Sequence, residues 1–500
     1  MPPSPIQKVV IVGGGTAGWM AAAMLAKALG PQLAIELVES EEIGIVGVGE
    51  ATIPQIRLVS SFLGLDEDAV LAASQGTIKL GIQFNDWLRP GHSYLHAFGE
   101  LGMALGPLPF QHYWLRRQTE GPATDLWAYS LNAAAAAAHR FGREADASPN
   151  PALRYAYHFD AGLYGQFLRR YAEQGGVRRT EGRIVQVHLR PEDGFIDAVQ
   201  TENGERIAGD LFLDCSGFRS LLLGSALGVA FEDWSGWLPC NRAIAVACAR
   251  TAPLLPYTQS NARPAGWQWR IPLQHRTGNG HVYCSDFMSE DQASALLLAN
   301  LDGEAIGSPR SLRFTSGMRA RLWERNCVAV GLASGFVEPL ESTAIHLIQS
   351  SIGRLLSLFP DRHCEPALQE EFNRQARFEY ESVRDFLLLH YQATERRDSP
   401  FWRHCAELPS TPRLQHKIDI FRASGQIFRV HEELFTEGSW LQVLLGQGIR
   451  PSRYHPLADA LPKAQLDQFL GHLQTRVAQS IDILPEHSEF VARHCPAGAG

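Results

Sequence analysis

Short apolar, β-branched runs that end in glycine recur along the chain, and helix-forming stretches lie between them. Lys8 to Val12 is the first such run. Trp19 to Leu29, rich in Ala, Leu and Met, predicts a helix, and Leu33 to Val38 a second strand. That strand–turn–helix–strand order belongs to a mononucleotide-binding unit. Further on, Phe167 to Glu173 predicts a helix and Arg183 to Val187 a strand. Asp210 to Asp214 and Asn326 to Val330 are buried-strand patterns that run into Gly217 and Gly331. Trp267 to Leu273 and Gly280 to Ser285 predict an antiparallel hairpin turning at Gly278-Asn279-Gly280. The alanine run Ala133 to Ala138 predicts a close-packed helix, and Ala147 to Pro151 a loop. Gly44 to Thr52 is too glycine-dense for a strand interior. It reads as a loop, lying either over a cofactor or on plain surface. From about Glu341 onward the pattern is mostly helical.

Composition narrows the classes. At roughly 150 residues per domain, 500 residues suggest two to four units. Without tandem repeats or a long linker, they are expected to share one body. The formal charge of −8 argues against nucleic acid as partner. No stretch approaches the ~18 apolar residues of a membrane helix. The N-terminus carries no basic, apolar signal pattern. The eight cysteines are scattered and form no C-x-x-C pair, so no metal site is expected and a reducing cytoplasm is the expected location.

The glycine turn carries the first chemistry. Gly13, Gly15 and Gly18, with Gly14, Thr16 and Ala17 between them, follow a strand and open a helix. The first glycine allows a tight turn, the second lets backbone approach a pyrophosphate, and the third allows close helix–strand packing. Glu39 lies about 20 residues further on, where an acid can hold ribose hydroxyls. The competing reading is a glycine turn that binds nothing. The strand-to-glycine runs ending at Gly217 and Gly331 favour FAD over NAD, although each alone could be a buried strand reaching a turn. The expected class is therefore α/β. Residues 1–340 form a Rossmann-like, glutathione-reductase-type FAD-binding domain with an inserted β-sheet and substrate-side segments (about 75–180 and 230–310). Residues 341–500 form a mostly helical substrate region.

Several further segments occur together. They are Gly47 to Thr52, Thr77-Ile78-Lys79-Leu80-Gly81, Asp214 to Arg219, Trp267-Gln268-Trp269-Arg270-Ile271-Pro272 and Gly335 to Thr343. Arg384-Asp385-Phe386 with His390-Tyr391, and Ser399-Pro400-Phe401-Trp402, complete the set. In this order, and with W-x-W-x-I-P at its centre, the chain resembles the flavin-dependent halogenases over most of its length. The resemblance implies a reaction at two sites. Reduced FAD, oxygen and a halide, chloride or bromide, produce a hypohalous acid. That oxidant passes through a channel to a separate pocket, where an aromatic small molecule is halogenated.

The same resemblance assigns residues. Lys79 would hold the oxidant, and Glu341 would act beside it. The chemistry is coherent: a lysine offers several donors and shifts its pKa on burial, and a carboxylate can polarise the oxidant or accept a ring proton. Alternatively, Lys79 is an ordinary exposed lysine and Glu341 a helix-start carboxylate. Trp267 and Trp269, on alternate strand positions with Pro272 after them, would wall the substrate from the flavin, or simply pack a core. Further flavin contacts are implied at Ala51, Val185, Leu332 and Ile345, and the halide at Thr343 and Ala344. Tryptophan halogenases carry glycine at the position of Ala344. His96, Phe98 and Trp440 are the candidate pocket residues. The tyrosine pair and acid by which tryptophan halogenases grip their substrate's backbone are missing between Gly438 and Gly448. An indole-like or larger aromatic is therefore expected to fit better than free tryptophan. No NAD(P)H motif stands out, so a separate NAD(P)H flavin reductase is the expected partner. A flavin monooxygenase, or a catalytically idle FAD-binding protein, are the alternatives.

Overall fold

The computed structural model describes residues 4–43, 49–121, 124–143 and 153–498. The loop expected at 147–151 and residues 44–48 of the one expected at 44–52 lie outside these residues; within the rest of the latter, Glu50–Ala51 forms a short strand instead of loop, paired with Ala156–Phe159.

A six-stranded sheet forms the base of the molecule. Its order is Trp323–Glu324, Cys327–Ala329, Leu211–Asp214, Lys8–Val12, Ala34–Glu39 and Arg178–Glu181. All neighbours run parallel except the first pair. Val9, Val10, Ile11 and Leu211 to Leu213 are fully buried, as a sheet covered on both faces requires. The helix Thr16–Leu29 buries every residue from Gly18 to Leu25 and packs on the helices Ala161–Gln174 and Ala344–Ser357. Gly18 lets this helix lie close against the end of the strand before it: a Cβ there would lie 1.8 Å from the Gly13 carbonyl oxygen.

A seven-stranded sheet stands beside it. Its order is Ala305–Arg313, Arg242–Ala249, Arg276–Tyr283, Gly266–Pro272, Thr258–Arg263, Gly81–Asn85 and Ser93–Ala97. Thr258–Arg263 and Gly81–Asn85 pair in parallel, and the other neighbours antiparallel. The tryptophan hairpin is present, but its turn is not at Gly278-Asn279-Gly280. Those residues sit inside the strand Arg276–Tyr283, opposite Ile271, Arg270 and Trp269. The chain reverses at Gln274-His275, where the Leu273 amide donates to the Arg276 carbonyl. Gly280 serves a different need: a Cβ there would meet the Trp269 ring at 2.0 Å. Its missing side chain is the space the indole occupies.

A small sheet has the order Glu50–Ala51, Ala156–Phe159 and Thr77–Lys79. The alanine run forms the helix Leu131–Ala137 and packs on Lys463–Asp482. From Ala344 onward the described residues hold helices and no strand. The helix Glu437–Gly446 is tied to the sheet edge by one side chain. Gln442 Nε2 donates to the Ala97 carbonyl and its Oε1 accepts from the Ala97 amide, both at 3.0 Å. A buried amide thus stands where a further strand would pair.

Candidate active site

The parallel strands end at one edge in Val12, Glu39, Asp214 and Ala329, and the glycine turns follow there. In a parallel sheet this edge is where ligands bind. A cavity of about 770 Å³ opens at it, within the roughly 300–1,000 Å³ usual for cofactor pockets. Gly13 to Ala17, Glu39, Ala51, Leu332, Ala344 and Ile345 all line it. Gly13 has φ +112°, and a Cβ there would strike the Cys215 carbonyl oxygen at 2.3 Å. Gly14 lies under the Glu39 carboxylate, with room for no side chain. No side chain caps the helix that begins at Thr16, so its first amides face the cavity free to meet an anion. Glu39 Oε1 is held by Arg179 Nε at 2.6 Å. These features fit a dinucleotide pyrophosphate and ribose. Val185 is placed differently from its neighbours: it is 56% exposed, while Arg183 and Ile184 line the cavity.

Trp267 and Trp269 are both buried, with ring centroids 6.1 Å apart, and both line one side of this cavity. Pro272 ends their strand. Its carbonyl accepts from Thr77 Oγ1 at 2.6 Å, which ties the tryptophan strand to the strand that ends in Lys79.

Lys79 is wholly buried. Its Nζ donates to Ser342 Oγ at 2.8 Å and lies 5.4 Å from the centre of the Phe98 ring. Burial lowers its pKa from 10.5 to about 7, opposed in part by the charge of Glu341. Ser342 also lines the cavity, so the lysine is fastened to the back of the cavity wall. The backbone of Ser342 is left-handed, at φ +58°, closing the single turn Pro339–Glu341.

Glu341 is 1% exposed and lies between two imidazoles. Its Oε2 is 2.8 Å from His96 Nδ1. Its Oε1 is 3.0 Å from His390 Nε2, a close polar contact without hydrogen-bond geometry. Burial alone would raise the carboxyl pKa, but the two imidazoles outweigh it and bring it to about 2. Two residues on, Thr343 is fully buried with its Oγ1 unpartnered, and it precedes the uncapped helix Ala344–Ser357.

His96 and Phe98 therefore meet Glu341 and Lys79 directly. Trp440 lies one layer further out, its ring 4.8 Å edge-on from Phe386, which itself touches His96 and His390. Sequence reasoning gave no role to Ser342 or His390, although both fall in the segments that carry the resemblance. Among the described residues no group of three or more His, Cys, Asp or Glu is placed to hold a metal ion, and no helix is long and apolar enough to cross a membrane.

Known proteins resemble this chain over nearly its whole length. The family model described as "Tryptophan halogenase" matches residues 8–463. Tryptophan 6-halogenase SttH from Streptomyces toxytricini is 36% identical over 97% of this chain and 98% of its own. The solved structure of Xcc4156, a flavin-dependent halogenase from Xanthomonas campestris, superposes with a TM-score of 0.97 at 50% identity, covering 99% of this chain and 100% of that one. BrvH, a flavin-dependent halogenase from Brevundimonas sp. BAL3, gives 0.94 at 46% identity, covering 98% and 99%. The chain belongs to the tryptophan halogenase family and is a flavin-dependent halogenase, an enzyme of mixed α/β fold.

Proposed function

We propose that this enzyme halogenates an aromatic, indole-like small molecule, using reduced FAD, oxygen and chloride or bromide. When bound, the reduced flavin would supply two electrons that activate oxygen, and the activated oxygen would take the other two from the halide, giving hypohalous acid and water. The observation that carries the reading is the Lys79–Ser342 contact. An oxidant that leaves the cavity past Ser342 meets the Lys79 amine first. With its pKa near 7, the amine is about half unprotonated at neutral pH. The free amine takes the halogen from hypohalous acid and releases water; the ammonium form holds the acid by a hydrogen bond. Either way the halogen is presented from one fixed atom, which is catalysis by positioning.

Glu341 takes the second role. Its charge favours the positive lysine and the developing positive charge of a halogenated ring. Its low pKa makes it a weak base, and His96, joined to it at 2.8 Å, gives the departing ring proton a relay. Thr343 Oγ1 and the amides at the start of Ala344–Ser357 form a suitable seat for the halide, narrowed by the Ala344 methyl group. The absence of a tyrosine pair and an acid from 438–448 supports a neutral substrate. Gln442, the polar residue best placed there, is committed to Ala97. A separate NAD(P)H flavin reductase is the partner that supplies reduced FAD.

The test supplies reductase-generated reduced FAD with chloride or bromide to a panel of indoles and to free tryptophan, read by mass spectrometry. Halide-dependent mass shifts are expected on neutral indoles, with poor turnover of tryptophan. Lys79→Ala is expected to abolish them while flavin reoxidation continues. Halogenation that survives Lys79→Ala overturns the lysine's role. Hydroxylated products independent of halide overturn the halogenase reading of the site.

A further inference from the structure

One buried acid takes no part in the chemistry above. Glu338 is fully buried, at the entry to the turn Pro339–Glu341. Its Oε2 accepts two hydrogen bonds, one from Trp267 Nε1 at 3.0 Å and a short one from the Tyr391 hydroxyl. Its Oε1 is buried without a partner. Trp267 belongs to the cavity wall, and Tyr391 belongs to the helix Pro366–Gln392.

The spacing is informative. Glu338 and Glu341 lie three residues apart on one turn. They grip adjacent residues of one helix, Tyr391 and His390. The first grip also holds Trp267. Trp87, wholly buried, closes the same group, 6.3 Å from the Trp267 ring and 5.3 Å from the Tyr391 ring. One carboxyl therefore registers three parts against each other: the flavin-side wall, the turn that carries Glu341 and Ser342, and the helix that carries His390.

We infer that Glu338 is a positioning residue that holds the Trp267 wall in register with the Lys79–Glu341 pair, and so sets how much of the oxidant reaches Lys79 instead of escaping. The inference rests on the halogenase reading of the site. Burial pushes the Glu338 carboxyl up to about 7 despite Tyr391, Trp267 and the nearby Cys240 backbone amide. Its acceptor oxygen, more than its charge, thus carries the register, and glutamine can keep that oxygen in place.

The readout is the ratio of halogenated product to flavin oxidised, with released hydrogen peroxide measured alongside. Wild-type protein is assayed first with a neutral indole and bromide; no halogenated product at all would overturn the halogenase reading itself. Given a productive wild type, Glu338→Leu is expected to lower the ratio about tenfold, with peroxide rising to match, since both donors lose their acceptor. Glu338→Gln is expected to restore it to within about twofold of wild type. FAD affinity is expected to stay unchanged in both. A merely structural role would lower the amount of active protein without moving the ratio. Should Glu338→Leu fail to fold, Tyr391→Phe and Trp267→Phe each delete one donor and read the same ratio. An unchanged ratio in Glu338→Leu, or in both single-donor variants, overturns the inference. So does a Glu338→Gln variant as uncoupled as Glu338→Leu.

Discussion

Replacing Lys79 by methionine is expected to stabilise the flavin-free protein while abolishing halogenation. Methionine keeps the length and most of the volume of the side chain and removes its amine. The magnitude follows from the amine's burial. The distance from the ordinary value of 10.5 to about 7 corresponds to about 5 kcal/mol of folding free energy. Below pH 7 the amine is charged in both states, and the folded protein carries that whole penalty. Between pH 7 and 10.5 it is neutral when folded and protonated when unfolded. The unfolded chain then binds more protons, so wild-type stability rises with pH and the penalty shrinks. At pH 9 about 2 kcal/mol remains. Methionine also gives up the hydrogen bond to Ser342, worth about 1 kcal/mol. Glu341 retains His96 and His390, so no unpaired buried charge is created. The net gain is about 4 kcal/mol at pH 6 and about 1 kcal/mol at pH 9. For a chain of 500 residues the unfolding entropy is about 1 kcal/mol/K, so the midpoint rises about 4 °C at pH 6 and about 1 °C at pH 9. Differential scanning calorimetry of both proteins at the two pH values reads the effect. A lower midpoint for the variant at pH 6, or a difference that does not shrink by pH 9, refutes the reasoning.

Three other perturbations follow from the same geometry. Glu341→Gln takes a charged acceptor from His96 and His390; it is expected to cost about 1–3 kcal/mol in chemical denaturation and to suppress halogenation, and full stability would show that the two imidazole contacts are idle. Gly13→Ala demands a left-handed alanine whose Cβ collides with the Cys215 carbonyl; flavin affinity measured by fluorescence quenching is expected to fall at least about tenfold, with unchanged affinity contradicting the placement of the turn. Gln442→Leu strips the Ala97 amide and carbonyl of their partner; a loss of about 2 kcal/mol and faster hydrogen exchange at Ala97 are expected, and an unaltered exchange rate would mean the clamp does not close that edge.

Much of the base sheet was legible because it is written locally. A β-branched run followed by glycines, a helix and another apolar run leaves little choice of structure, and Lys8–Val12, Thr16–Leu29 and Ala34–Glu39 form as that pattern predicts. The tryptophan hairpin was legible as a pair of strands but not in its turn. Gly278 and Gly280 carry the local signature of a reversal, and nothing near them announces that Trp269, on the facing strand, needs the space. Lys79 shows the same limit more sharply. By residue type it belongs on the surface, and only residues far along the chain, Ser342 and Glu341, account for its burial. His390 and Ser342 went without roles for that reason: an imidazole gains a function from the carboxylate opposite, and the pairing is made by a long helix crossing a turn about fifty residues earlier in the chain. The substrate side was read mainly from missing residues, which say what the chamber will not hold more readily than what it will.

The stretch from Glu338 to Thr343 has a consequence for how such an enzyme changes. Six consecutive residues touch the tryptophan wall, the lysine, both imidazoles and the start of the Ala344–Ser357 helix. One inserted or deleted residue would rotate every one of these side chains out of place at once. Variation there is closed off, whereas the helix Glu437–Gly446 reaches the site through Trp440 and two amide clamps, Gln442 on Ala97 and Gln447 on His390. A library that varies Trp440 and the first turn of that helix while sparing Gln442 and Gln447 searches for new substrates without disturbing oxidant supply. The same library built on the turn would return mostly dead protein.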